Sequence, residues 1–275
     1  MLGTAFPADR VLLVEQPGPW GRAGLRASRF PARIAAAVED RALRAGIRVQ
    51  AVRRPGRTRP DARRFWGLAS ARPGTEQLRT GTWSRPEELL DLPLDGSAGS
   101  PDDAAHFLVC THGKHDPCCA LRGRGVAAAL HELRPGRVWE TSHLGGDRFA
   151  ANVLVLPSGL LYGRVAVSAA EELADAADAG LVLQPLLRGR IGHAPAAQAA
   201  AAYAYAQLGL RSVGAVRVLS SSRVEEGVAT VRLRTGTGDY RARVFVDRVS
   251  SEGLTCAAAG AGSFLRYRAT ELLPV

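Results

Sequence analysis

Lysine is nearly missing from this chain of 275 residues: Lys114 is the only one, so arginine carries almost all of a net charge of +10. Arginine beside abundant alanine reads as the codon bias of a GC-rich genome, and a solvated basic surface follows from it. Aromatic residues make up only 6%, and no basic run is interleaved with them at a recognisable motif spacing. That argues against a nucleic-acid partner and leaves docking of an acidic redox partner protein as the use for the charge. No apolar run is long enough for a membrane-spanning helix. The first ten residues, Met1 to Arg10, lack the basic stretch and apolar core of a secretory leader. The expected compartment is therefore a reducing cytoplasm. Clustered cysteines there point to metal binding or redox chemistry rather than to structural disulfides. Cysteine itself is scarce, with four in all.

What is present is a hydrophobic fraction of 46%, ample for real cores, and a length that suggests two domains or three small ones. Val11–Val14 reads as a buried strand, followed by the loop from Gln16 to Gly21. A helix is expected from Pro31 to Arg44 with Gly46 as its stop signal. Strands are expected at Ile47–Val52, Phe65–Ala71 and Gln77–Trp83, then a short helix opening at Pro86. The composition of Asp95–Pro101 marks a linker. After it come a strand at His106–Val109, a helix at Ala120–Leu133 ended by Pro135 and Gly136, a strand at Val138–Thr141, a hairpin of Asn152–Leu156 with Leu160–Val165, and a helix at Ala169–Ala179.

The order β-α-β-β-β-α thus occurs twice. An ungapped match pairs Phe65 with Phe149, Pro73 with Pro157, Glu88 with Glu172 and Asp91 with Asp175. This reads as a degenerate internal repeat of an α/β (α+β) unit that fits a thioredoxin-like core. The expected division is residues 1–97, a copy without cysteines; 98–190, the copy with the ligand loops; and 191–275, a small α+β appendage with a helix at Ala196–Leu208 and alternating strands at Val213–Leu219, Val228–Arg234, Tyr240–Val249 and Phe264–Thr270.

Three of the cysteines lie in Cys110-Thr-His-Gly-Lys-His-Asp-Pro-Cys118-Cys119. Cys110 and Cys119 are spaced C-x8-C, and His143 and Asp147 are spaced H-x3-D on the next loop. In a thioredoxin-like core the two loops lie side by side, which brings four ligands together in a manner suited to a binuclear iron–sulfur cluster. Cys119 falls near a helix N-terminus, where a thiolate is favoured. Gly145 and Gly146 take side chains away from the centre and offer backbone N–H groups to it. His112 and His115 read as loop residues or as groups that tune the centre, and Cys118 as a spare thiol beside Cys119. Asp147 is a hard ligand and uncommon on such clusters; capping a short helix over Arg148–Ala150 is its other reading. Cys256, far along the chain, reads as a free structural thiol.

The chain resembles the sucrase/ferredoxin-like family of thioredoxin-like ferredoxins. The matching residues are Cys110-Thr-His112-Gly with Asp116 and Cys119; Ser142-His143-Leu-Gly145-Gly146-Asp147-Arg148-Phe149-Ala150; Tyr162-Gly163-Arg164; and Glu15-Gln-Pro-Gly-Pro-Trp20-Gly21. The resemblance implies a [2Fe–2S] cluster and an electron carrier. Characterised eukaryotic members hold the cluster by two cysteines and by two histidines spaced H-x3-H. Carried over, Cys110, Cys119 and His143 match three ligands, and Asp147 stands at the fourth position, where this chain departs from the pattern. No pair of catalytic carboxylates supports a glycosidase. Two other readings use the same residues: a thiol–disulfide or peroxide-type enzyme with Cys119 as nucleophile, and a structural zinc module.

Overall fold

The computed structural model describes residues 1–56, 63–252, 254–255 and 260–275. The first half of the chain builds β1 (Arg10–Glu15), β2 (Trp20–Gly21), β3 (Gly24–Ser28), α1 (Ala32–Arg44), β4 (Ile47–Arg53), β5 (Arg64–Ser70), β6 (Gln77–Trp83) and β7 (Ser100–Pro101). In β1 every side chain from Val11 to Glu15 is buried, as the unbroken apolar run requires of a central strand. In α1, Ala35, Val38 and Ala42 are buried on one stripe, at the i, i+3, i+7 spacing of an amphipathic helix.

The second half builds β8 (His106–Cys110), α2 (Pro117–Leu133), β9 (Val138–Thr141), β10 (Val153–Leu156), β11 (Leu160–Tyr162), α3 (Ala170–Asp178) and β12 (Leu187–Arg190). The helix α2 starts at Pro117 rather than at Ala120. Asp116 caps it, its side chain accepting the Cys118 N–H at 2.8 Å, with Pro117 in the first turn. Cys118 and Cys119 therefore belong to the helix itself.

All these strands except β2 and β3 join one sheet, in the order β12-β11-β10-β8-β9-β4-β1-β5-β6-β7. Each half repeats one local arrangement. β1 runs parallel to β4 and antiparallel to β5, which pairs antiparallel with β6. Likewise, β8 runs parallel to β9 and antiparallel to β10, which pairs with β11. The halves meet where β4 and β9 pair antiparallel, Val52 opposite Thr141 and Arg53 opposite Glu140. Those pairs lie at the C-terminal ends of both strands, so the loops that leave β1 and β8 converge at the middle of the sheet. The first half is thus built into the same sheet as the second, and the expected linker supplies an edge strand, β7.

The register also corrects the ungapped repeat. Leu13 faces Gly67 across β1 and β5, and Leu108 faces Leu154 across β8 and β10. With Leu13 matched to Leu108, Gly67 corresponds to Leu154 and not to Ala151. Phe149 lies in a 3₁₀ turn before β10, whereas Phe65 is a residue of β5.

The remaining chain forms α4 (Pro195–Gln207) and an antiparallel sheet of β13 (Arg217–Ser221), β14 (Val228–Thr235), β15 (Gly238–Glu252) and β16 (Ala261–Pro274). The alanines of α4 allow close packing on both sides: Ala197, Ala200 and Ala204 share one apolar cluster with Val231, Leu233 and Val244 of this sheet and with Val153 and Leu160 of the large one. The whole is a mixed α/β, α+β architecture. Among the described residues, no helix is long and apolar enough to cross a membrane.

Candidate metal centre

The C-terminal end of β8, the first turn of α2 and the loop after β9 bring four expected residues together. Cys110 is the last residue of β8, its N–H donating to Asn152 O at 2.9 Å. Gly123 lets α2 lie against that strand end; a Cβ there would stand 2.2 Å from Cys110 O. Cys119, in the first turn of α2, is thereby set beside it. Both thiols are free and buried. His143 Nδ1 lies 3.9 Å from each sulfur. Its other nitrogen, Nε2, lies 3.0 Å from Asp147 Oδ1, which is also 3.9 Å from the Cys119 sulfur. The ligand atoms of Cys110, Cys119 and His143 all fall within 4.8 Å of one another.

The sulfur pair is asymmetric. A hydrogen bond from the Cys119 thiol, with help from His143, holds Cys110 well below the usual thiol range. The same bond, and burial, push Cys119 up. Burial raises the Asp147 carboxyl above its ordinary value.

His112 and His115 separate into different roles. His112 Nε2 donates to Gly21 O at 2.8 Å and its Nδ1 accepts the His143 N–H at 3.1 Å. With both ring nitrogens engaged it is no ligand; it positions the backbone of His143. His115 stacks on His143, the ring centroids 3.8 Å apart at 20°, and forms a second cluster of ligand type with His143 and Asp147. Cys118 is disulfide-bonded, so it is not the spare thiol expected beside Cys119. Cys256 lies outside the described residues.

Gly145 and Gly146 do more than clear space. Both have positive φ, 77° and 75°, and a Cβ on Gly146 would stand 2.4 Å from the Arg188 guanidinium. Arg188 Nη1 donates to Gly145 O and to Asn152 Oδ1, each at 2.8 Å, and Nη2 donates to Thr4 O at 2.5 Å. Arg188 is 2% exposed. Burial, then Arg148, pull its pKa down to about 10, while Cys110, Asp147 and Cys119 act in the opposite sense. Arg188 is a buried cation held by carbonyls and side-chain oxygens behind the glycine loop, and sequence reasoning missed it. The half without cysteines was missed too: Trp20 meets His112 edge-on at 5.9 Å, Gly21 O accepts from it, and Arg48 Nη2 donates to His143 O at 3.2 Å.

Two sulfurs, an imidazole nitrogen and a carboxylate under a lid of histidines form a donor set for a thiophilic metal. A model of the family described as sucrase/ferredoxin-like matches residues 1–189. The chain belongs to the sucrase/ferredoxin-like family. The match takes in both halves of the large sheet and ends before α4. No curated protein and no solved structure matches this sucrase/ferredoxin-like chain.

Proposed function

We propose that this sucrase/ferredoxin-like protein is an electron carrier that holds a [2Fe–2S] cluster with Cys110, Cys119, His143 and Asp147. The observation that carries this reading is the meeting of two free, buried sulfurs with His143 Nδ1 within 4.8 Å, from separate loops, beside a buried carboxylate. When bound, such a cluster supplies one-electron transfer, and the protein sets potential and docking. The thioredoxin-like identity of residues 98–190 is part of the proposal. It is supported by the strand order β9-β8-β10-β11, with β8 and β9 parallel, α2 between them and α3 after the hairpin.

The chain's own residues have defined tasks. Cys110 and Cys119 supply thiolates, one already favoured. Asp147 orients the His143 ring through Nε2 and stands close enough to Cys119 to share the fourth position. Arg188 offsets the negative charge of the thiolates and carboxylate, and a buried cation near a redox centre raises its potential. Arg122, Arg148 and Arg164 surround the 147–151 loop with no acid within 4.0 Å among the described residues, which suits a redox partner with an acidic surface.

One distance favours a second reading, a single metal ion in a structural role. Metal–sulfur bonds of about 2.3 Å and metal–nitrogen bonds of about 2.0–2.1 Å place neighbouring ligands of a tetrahedral ion about 3.6 Å apart, within a few tenths of an ångström of the 3.9 Å seen from each sulfur to Nδ1. Iron and acid-labile sulfide are to be quantified on anaerobically purified protein, with its visible spectrum. Iron and sulfide in equal amounts, with an EPR signal after dithionite, are expected. One zinc per chain without sulfide would replace the first reading by the second.

A further inference from the structure

A cavity of about 230 Å³ opens between the two halves on the outer side of His143. The cysteine-free half lines it with Arg22, Glu39, Arg48 and Gln50, and the other half with His115 and His143. Its charge is unbalanced. Arg48 projects from β4 with its guanidinium 4.1 Å from the centre of the Phe6 ring. It spends one N–H on His143 O, and its Nε is buried with no hydrogen-bond partner among the described residues. No carboxylate among the described residues lies within 4.0 Å of Arg48 or of Arg22, which is exposed on the rim. The one acid on the wall among the described residues, Glu39, is already held by Arg26, which also binds Asp40 at 2.5 Å. A half-buried cation whose Nε is shielded from solvent and without a counter-charge is costly, and desolvation lowers the Arg48 pKa.

We propose that this cavity binds a small oxyanion, a carboxylate or a phosphate, between Arg48 and Arg22 beside the exposed edge of His143. A planar guanidinium is suited to both classes. The volume, below the usual range for drug-sized ligands, restricts the occupant to a small molecule or a single head group. The site shares His143 with the thiol cluster as a common wall, but its cations come from the other half and it needs no metal, so it stands whether or not the cluster reading holds.

The test is calorimetric titration of the purified full chain at low ionic strength, with inorganic phosphate and with acetate in separate arms, on metal-free and metal-loaded preparations. Saturable binding of one anion per chain is expected in at least one arm, and the arm that responds assigns the class. Arg48→Gln should weaken it by roughly tenfold or more and Arg22→Gln several-fold, while Arg217→Gln, an exposed cation of β13 outside the cavity, should leave it unchanged. Absence of saturable binding of either anion to the unsubstituted protein overturns the proposal, as does wild-type affinity in folded Arg48→Gln. Should that variant fail to fold, Arg22→Gln decides: wild-type affinity there overturns the proposal as well.

Discussion

The two halves of the large sheet share one strand order and differ at the position where the chemistry begins. Glu15 ends β1 opposite Val52, and Cys110 ends β8 opposite Thr141, while Val52 and Thr141 are themselves a cross-strand pair. Glu15 and Cys110 are therefore related positions on either side of the junction. Glu15, 1% exposed, accepts the Phe65 N–H at 2.7 Å, and so closes a structural gap in its own half. Cys110 instead faces a thiol and an imidazole. The loop after β1 packs Trp20 into the core of its own half and also reaches the other, with Trp20 and Gly21 against His112. A repeat that carries no ligand has become the wall of its neighbour's site.

The sharpest break of this comparison is Cys110→Ser set against Glu15→Ala. The first is expected to abolish bound metal with the fold retained, read by metal analysis and circular dichroism. The second is expected to keep the metal. Next in size is Trp20→Ala. Trp20 is 4% exposed, donates to Gln16 O at 2.8 Å and lies under Arg53. Its removal should cost ~3–5 kcal/mol in urea unfolding and quicken metal loss to a chelator, although it belongs to the half without ligands. Glu15→Ala itself leaves the Phe65 amide without its acceptor and should cost about 1–3 kcal/mol.

His106 opens β8 where Val11 stands in β1, and gives a comparison in pH. It donates to Asp102 at 2.8 Å and accepts from Trp139 Nε1 at 3.4 Å. Burial lowers its pKa, against the opposing pull of Asp102. A lowered folded value means that the contribution to stability is complete above the unfolded pKa of about 6.5 and is lost as pH falls through the folded value. His106→Val is expected to flatten this acid-side loss and, by stranding the Trp139 N–H, to cost about 1–3 kcal/mol at pH 8, read as stability against pH. The smallest effect is expected for His115→Ala. It removes only a stacked lid from His143 and should change stability by about 1 kcal/mol or less, with faster chelation as its readout.

Much of this architecture was legible because apolar alternation and turn residues agree along most of the chain. β6 and β9 have the bounds their patterns predict. β12 was not legible. Leu187-Arg-Gly-Arg190 has the composition of a solvated segment, yet Arg188 and Arg190 are 2% and 8% exposed. Their burial depends on acceptors remote in sequence: Thr4, Gly145 and Asn152 for Arg188, and Glu76 and Ser158 for Arg190. The β2–β3 hairpin was missed because its strands, Trp20–Gly21 and Gly24–Ser28, are too short and glycine-rich to show a period. At the candidate centre, residue type and spacing singled out Cys110, Cys119, His143 and Asp147. Spacing carried no sign that both nitrogens of His112 are engaged, or that Cys118 is disulfide-bonded.

By itself the sequence determined most of the elements, the repetition of their order and the residues able to bind a soft metal, since periodicity and side-chain chemistry are local properties. Tertiary structure decided that β4 pairs with β9, that the loop of one half covers the site of the other, and that Arg188 is buried and Arg48 half-buried beside it. Those outcomes follow from which strand edges find each other and which distant carbonyls can satisfy a buried cation, and neither is written in any single stretch of chain.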